Sequence, residues 1–327
     1  MRPIALALAA LALAPPLAAD ADPLAHTYSI VARDVKTGEM GVAVQSHWFA
    51  VGAGVTWAEA GVGAIATQSF IDPGYGVRGL ALLREGKPAD EVLRLLLAAD
   101  PQRETRQVAI VDTAGRVAAH TGAACIQAAG HRTGTQFSAQ ANLMANDRVW
   151  PAMSEAFEKS TGDLADRLLA ALEAGEAAGG DIRGSQSAAL LIVRASGSGR
   201  PWAGADRVFD LRVDDHPEPL VELRRLVRLQ RAYDHANRGD ELFTGKQVEE
   251  ALAQYARAAE LAPEIVELPF WQAVTLASIG REAEAMPIFR AVFAKEPRWA
   301  DLVPRLPAAK LLPDDAALVA RIVAQRR

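Results

Sequence analysis

His26-Thr27-Tyr28-Ser29-Ile30-Val31-Ala32-Arg33-Asp34 reads as a β-strand opened by a hydroxyl residue. Alternation puts Thr27, Ser29, Val31 and Arg33 on one face and Tyr28, Ile30 and Ala32 on the other. A threonine at the head of a strand becomes a nucleophile if the chain is cut just before it. The freed α-amine then serves as base to the hydroxyl beside it. Left uncut, threonine is simply a common strand residue. Arg33 lies too far along an extended chain, at about 3.3 Å per residue, to touch that amine, and stays outside the candidate site.

Upstream lies a well-formed secretory leader. Arg2 gives a positive start, Ile4 to Ala14 is an unbroken apolar run, and Pro15-Pro16 ends it. Ala19-Asp20-Ala21 is a cleavage signal, so residues 1–21 read as a signal peptide. The run is too short for a transmembrane helix and no second one follows. An exported, soluble protein is therefore expected, periplasmic or secreted, with no membrane span. Cleavage after Ala21 leaves Asp22-Pro23-Leu24-Ala25-His26 ahead of Thr27, so exposing Thr27 requires a second cut at His26–Thr27.

Composition narrows the classes further. The net charge of −5 leaves no basic footprint, so nucleic acid is not an expected partner. Cys125 is the only cysteine, which excludes an intramolecular disulfide and a cysteine-rich metal site. Beside Ile126 it reads as a small buried hydrophobe. The histidines show no ligand spacing, and neither metal nor cofactor is expected. A chain of 327 residues, half of them hydrophobic, is long enough for two domains.

Strand patterns occur at Tyr28 to Arg33, Gly41 to Gln45, Val62 to Gln68, Gln107 to Asp112, Val117 to Thr121, Phe137 to Leu143, Ser187 to Arg194 and Arg207 to Val213. Helical spacing occurs at Tyr75 to Arg84, Ala89 to Ala98, Asp147 to Lys159 and Leu164 to Ala178. Strand pairs, then helix pairs, with no strand–helix–strand alternation, predict an α+β layered sandwich over residues 27–215. After His216-Pro217-Glu218-Pro219 the pattern is all-helical, over residues 219–327. There Ala251, Tyr255 and Pro263 recur as Ala285, Phe289 and Pro297, each 34 positions on. That is the tetratricopeptide (TPR) period: a small residue at the helix crossing, an aromatic on the second helix, and a proline ending it. A plain helical bundle is the alternative.

Several segments together resemble a known family. They are Tyr28 to Asp34, Gly41-Val42-Ala43-Val44-Gln45-Ser46, Ala60 to Ser69, Tyr75-Gly76-Val77-Arg78-Gly79-Leu80, Ala178 to Ala189 and Leu211 to Pro217. In this order they resemble the bacterial domain of unknown function 1028 (DUF1028) family, which is assigned to the N-terminal-nucleophile (Ntn) hydrolase superfamily. The resemblance covers roughly residues 27–233 and implies a four-layer αββα sandwich and a hydrolase class, but no substrate. By it, Thr27 corresponds to the threonine or serine that opens the family domain. Asn142 matches a family asparagine, although Ala141 stands where the family commonly has glycine.

The candidate catalytic residues are Thr27 as nucleophile, with Asn142 and Ser46. A side-chain amide near a strand end suits an oxyanion donor, and equally suits a turn before Ala145-Asn146-Asp147. Ser46 and Ser69 end two similar strands, each preceded by a glutamine, Gln45 or Gln68. Such groups line a cleft or merely satisfy the backbone where strands turn. Gln68, Ser69, Asp181 and Ser187 are the candidate substrate-binding residues, the last two flanking a glycine-rich loop. The expected function is an exported Ntn-type hydrolase acting on an amide bond of a small molecule or peptide. The alternatives are a catalytically silent Ntn-like scaffold or a ligand-binding module, in either case with a TPR-like tail that can hold a protein partner.

Overall fold

The computed structural model describes residues 24–25, 27–200 and 204–326; the expected leader over residues 1–21, the expected cut after Ala21 and the residue before Thr27, His26, lie outside the described residues. Glycine turns break the first two-thirds of the chain into strands β1 Leu24–Ala25, β2 Thr27–Arg33, β3 Met40–Ser46, β4 Thr56–Glu59, β5 Gly63–Phe70, β6 Arg106–Asp112, β7 Val117–Thr121, β8 Gly130–Gly134, β9 Phe137–Ala141, β10 Ser187–Val193 and β11 Arg207–Val213. Between them lie helices α1 Gly52–Val55, α2 Gly74–Arg84, α3 Ala89–Ala99, α4 Val149–Lys159 and α5 Leu164–Ala177. The chain then continues as α6 Pro219–Thr244, α7 Val248–Leu261, α8 Glu267–Ser278, α9 Glu282–Lys295 and α10 Ala316–Val323.

All the strand pairings are antiparallel. One sheet runs β1-β5-β6-β7 with β4 also paired to β5, and the other runs β11-β10-β3-β2-β9-β8. The two stack on a shared apolar layer that includes Val31, Val42, Val44, Ala66, Val111 and Leu191. Ile65, Val108 and Ile110 on the other face of the first sheet are covered by α2 and α3 through Tyr75, Leu80, Val92 and Leu96. Tyr28, Ile30 and Ala139 of the second sheet are covered by α4 and α5 through Met153, Phe157, Leu168 and Leu172. Because both faces of each sheet are buried, the central strands lose the usual apolar–polar alternation. Gly79 shows how closely α2 seats: a Cβ there would lie 2.4 Å from Ile65 Cδ1.

Three elements carry too little apolar signal to be read from the chain. The segment Gly130–Gly134, Gly-His-Arg-Thr-Gly, is a half-exposed edge strand created by its pairing with β9. Thr56–Glu59 and Gly52–Val55 are four-residue elements held between longer ones. The strand expected to run to Leu143 ends at Ala141, because Leu143 turns the chain at a φ of 58°.

The C-terminal region is helical. Helix α6 serves two cores at once: Leu220, Leu223 and Val227 join the sandwich, while Leu242 joins the helical cluster built on Phe270, Phe289 and Phe293. Arg228 reaches the Leu261 carbonyl and His235 reaches Gln254, so α6 and α7 run antiparallel. Of the residues of the 34-position repeat, Ala251, Tyr255, Ala285 and Phe289 are buried, while Pro263 and Pro297 are exposed where α7 and α9 end. At Gly239 the helices meet so closely that a Cβ would lie 2.5 Å from the Tyr255 ring. Among the described residues no helix is long and apolar enough to cross a membrane.

Candidate functional site

Register fixes the site. Thr27 pairs with Ser46, and Ser46 pairs with Ser187, so three hydroxyl residues from β2, β3 and β10 form one row across the second sheet. Asn142 follows the end of the neighbouring β9 and its main-chain N–H donates to the Thr27 carbonyl at 3.1 Å. Opposite, in the first sheet, Gln68 pairs with Gln107, and Gln107 with Thr121. All except Thr121 of these side chains are fully buried.

The Thr27 carbonyl is the focus of the arrangement. Besides the Asn142 main chain, it accepts from Gln68 Nε2 at 3.0 Å and Asn142 Nδ2 at 3.4 Å. Both amides are themselves held by Gln107 Oε1, at 2.7 Å from Gln68 and 2.9 Å from Asn142. Gln107 Nε2 donates in turn to Thr121 Oγ1, Ala141 O and Gly130 O at 2.9–3.1 Å. Gln68 Oε1 accepts from Ser29 Oγ at 2.6 Å, and Gln140 Nε2 reaches the same Ser29 oxygen at 3.3 Å. Amides and hydroxyls make up the part of this network that touches Thr27; at its outer end Thr121 Oγ1 meets His131 Nδ1 at 2.8 Å, and burial lowers that imidazole's pKa. A polar chain bonded at so many points in a low-dielectric interior is rigid, which suits it to hold one backbone group in place.

The other candidates support the loops around this row. Ser46 Oγ accepts from Trp48 N at 2.9 Å. Ser187 Oγ donates to the Trp48 carbonyl and accepts from Val51 N at 3.1 Å, so it ties the turn after β3 to β10. The Asp181 carboxylate, fully buried, takes Arg183 Nε at 2.9 Å and Nη2 at 2.6 Å, and His47 N at 3.4 Å. It fastens the glycine-rich loop beside the residue that follows Ser46. Ser69 sits apart from the network, at a φ of 72°, with its buried hydroxyl beside the Cys125 thiol.

The two Gln-Ser strand ends are set one residue out of phase. In β5, Ala64 and Ala66 face the other sheet, and so does Gln68. In β3, Val42 and Val44 face it, and so does Ser46, which turns Gln45 to the helical side. Gln45 is fully buried there, with neither amide atom hydrogen-bonded. Gln107, Gln140 and Ser29 went unread as site residues. The available signal was a polar residue in phase with an apolar strand face, as in Gln107, Ala109 and Val111.

Arg33 lies at the far end of β2, where Nη1 donates to Gln136 at 2.7 Å. Cys125 is buried, with its thiol on the Arg106 carbonyl at 3.4 Å, and burial pushes the thiol up from its ordinary pKa. A thiolate is disfavoured there, so Cys125 is inert. Among the described residues no cluster of histidine, cysteine or carboxylate groups could hold a metal ion.

The family comparison bears on these same residues, for the model of DUF1028, a family of unknown function, matches residues 27–223 and so begins at Thr27. The chain belongs to the DUF1028 family. Among solved structures it is similar to protein SPO2555 from Silicibacter pomeroyi, itself described as DUF1028, at 32% identity and a TM-score of 0.56. That alignment covers 62% of this chain and 85% of the other. No curated protein matches.

Proposed function

We propose that this DUF1028 protein is an exported hydrolase of the Ntn type, made as a precursor and activated by cleavage at His26–Thr27. The observation that carries the reading is the position of Thr27. It opens a strand at the polar end of a two-sheet interface, and its own carbonyl is clamped by Asn142 and Gln68. The layering, helices outside two stacked antiparallel sheets, suits an αββα sandwich of that superfamily. Around Thr27 itself the network offers donors and hydroxyls but no base. A freed Thr27 α-amine would supply one, and burial beside neutral groups would lower its pKa toward neutrality.

In the maturation step, Thr27 Oγ attacks the His26 carbonyl carbon and the Thr27 nitrogen leaves as an amine, carrying the hydroxyl proton. The resulting ester is hydrolysed by water to the His26 carboxylate and the Thr27 hydroxyl. In turnover the same oxygen attacks a substrate amide, the α-amine relays its proton to the departing amine, and water cleaves the acyl ester. Asn142 and Gln68 act here as positioning residues, fixing the Thr27 main chain from which the hydroxyl and amine project. The helical tail, with its 34-residue period, fits a TPR-like unit that holds a partner. A cavity of about 450 Å³ between α6 and α8, lined by Tyr255, Trp271 and Val274, suits that role.

Intact mass and N-terminal sequencing of exported protein test the proposal. Mature protein should begin at Thr27, and Thr27→Ala should retain His26 if the cut is autocatalytic. Should another protease make the cut, Thr27→Ala is processed but inactive. A uniform start at Asp22 in a folded protein would overturn the proposal and leave the silent scaffold.

A further inference from the structure

The edge of β5 is covered by two different segments. Thr56–Glu59 pairs with its first half, up to Ala66. Its last two residues pair instead with the chain just upstream of the site, Leu24 opposite Phe70 and Ala25 opposite Ser69. Thr27, two residues after Ala25, already belongs to the other sheet, opposite Ser46. Leu24–Ala25, upstream of the His26–Thr27 bond, thus run as a strand on one sheet, and Thr27 stands on the other.

A bond that Thr27 cuts in its own chain must present its acyl side where a substrate later presents its own. We infer that the Ser69–Phe70 edge of the mature chain is a binding site for an extended peptide, which adds to the sheet in the place vacated by Leu24–Ala25. This rests on the reading that cleavage frees Thr27. Once cut, the upstream segment keeps only a two-residue ladder, and its loss uncovers main-chain donors and acceptors of the kind that bind peptides by strand addition. The edge is rigid from behind: Arg106 Nη1 donates to the Phe70 carbonyl at 2.7 Å, and its Nε is buried against Asp100 at 2.8 Å. Ser69 is held at a φ of 72°, a strained conformation of the kind retained at ligand clamps.

The rim suggests apolar side chains on the peptide. Trp48, Phe49, Ile126 and Ile182 are among the few large exposed hydrophobic residues, and all lie at this end. Trp48 and Phe49 follow Ser46, while Ile126 and Ile182 bond to the main chain of Leu143, next to Asn142. Four such groups at this end of the sandwich are exposed apolar area that water alone does not favour. The protein's own occupant, Leu24, is of this type.

The test uses full chains produced behind a fusion whose removal leaves residue 27 first, with Thr27→Ala to separate binding from turnover. The probe is acetyl-Asp-Pro-Leu-Ala-His-amide, with versions N-methylated at the leucine or at the alanine. In an antiparallel pair alternate residues turn their N–H groups to the neighbour, so one methylated peptide should bind about tenfold more weakly and the other about as well as the parent. Precursor that retains Leu24–Ala25 should not bind. Equal binding by all three peptides, equal binding to precursor, or no binding by the parent would overturn the strand site. Hydrolysis of small amides by the chain beginning at Thr27, without peptide binding, would overturn this inference and leave the hydrolase standing. Selective peptide binding without hydrolysis of any amide would support the strand site and remove the hydrolase.

Discussion

The interface between the two sheets has two ends, and the same strands build them on opposite plans. At one end Val31, Val42, Ala64 and Val111 meet as a methyl-lined layer. Four residues along those same strands, on the same faces, stand Thr27, Ser46, Gln68 and Gln107. Both ends are fully buried. The first gains stability simply by leaving water, roughly 25 cal/mol per Å² of apolar area. The second must hydrogen-bond every amide merely to break even, since an unpaired buried polar group costs about 1–3 kcal/mol. A protein that needed only a core would have repeated the valine plan. The amide end instead holds the Thr27 main chain through hydrogen bonds to its carbonyl.

The contrast can be broken most severely at Gln107. Gln107→Leu leaves the Gln68 and Asn142 amides without their shared acceptor and strands the carbonyls of Ala141 and Gly130. At about 1–3 kcal/mol for each orphaned group, urea titration should show a loss of at least about 3 kcal/mol. In protein that still folds, any cut at His26–Thr27 should slow with it, measured as the fraction beginning at Thr27. A variant as stable as wild type would show that the network carries no load.

At the apolar end, Leu191→Ala should cost about 2–4 kcal/mol through the cavity it opens between the sheets. Processing in the surviving folded protein should be unchanged, because the hydrogen bonds on Thr27 are untouched. If Leu191→Ala changed the N-terminus as Gln107→Leu does, the two ends would not be separable.

The smallest effect sharpens the comparison through pH. The amides on Thr27 do not titrate and the network's histidine, His131, lies at its outer end, whereas the Asp100 clamp outside it carries a carboxylate. Burial alone would raise the Asp100 carboxyl, but Arg106, the Gln102 main chain and Tyr75 donate to it and hold it below its ordinary value. A lowered folded pKa adds stability that is complete above the unfolded value of about 3.9 and lost as pH falls through the folded value. The stability gap between wild type and Asp100→Asn should therefore be constant from pH 8 to 5 and narrow below pH 4. A gap for Asp100→Asn that widened on acidification would reverse the assigned sign.

The sequence by itself determined the layered α+β class, most strand and helix positions, the antiparallel habit, the helical C-terminal region and its 34-residue period. Each of these is a local signal, repeated every two residues in strands or at helical spacing in helices, or a repeat visible along the chain. Thr27 could be singled out because it opens a strand. What only the tertiary structure decided was phase and register. The pairs Gln45-Ser46 and Gln68-Ser69 look alike, yet one turns its serine inward and the other its glutamine, because the two strands bury opposite phases of their alternation. Gln107 read as an ordinary strand start until pairing brought it against Gln68 and Asn142, each about 35 or more residues away. Thr27, Ser46 and Ser187 became one row only through hydrogen bonds between strands distant in sequence. Local propensity carries no information about which distant strand a residue will face; that is settled when the sheets close and buried polar groups are brought against their partners.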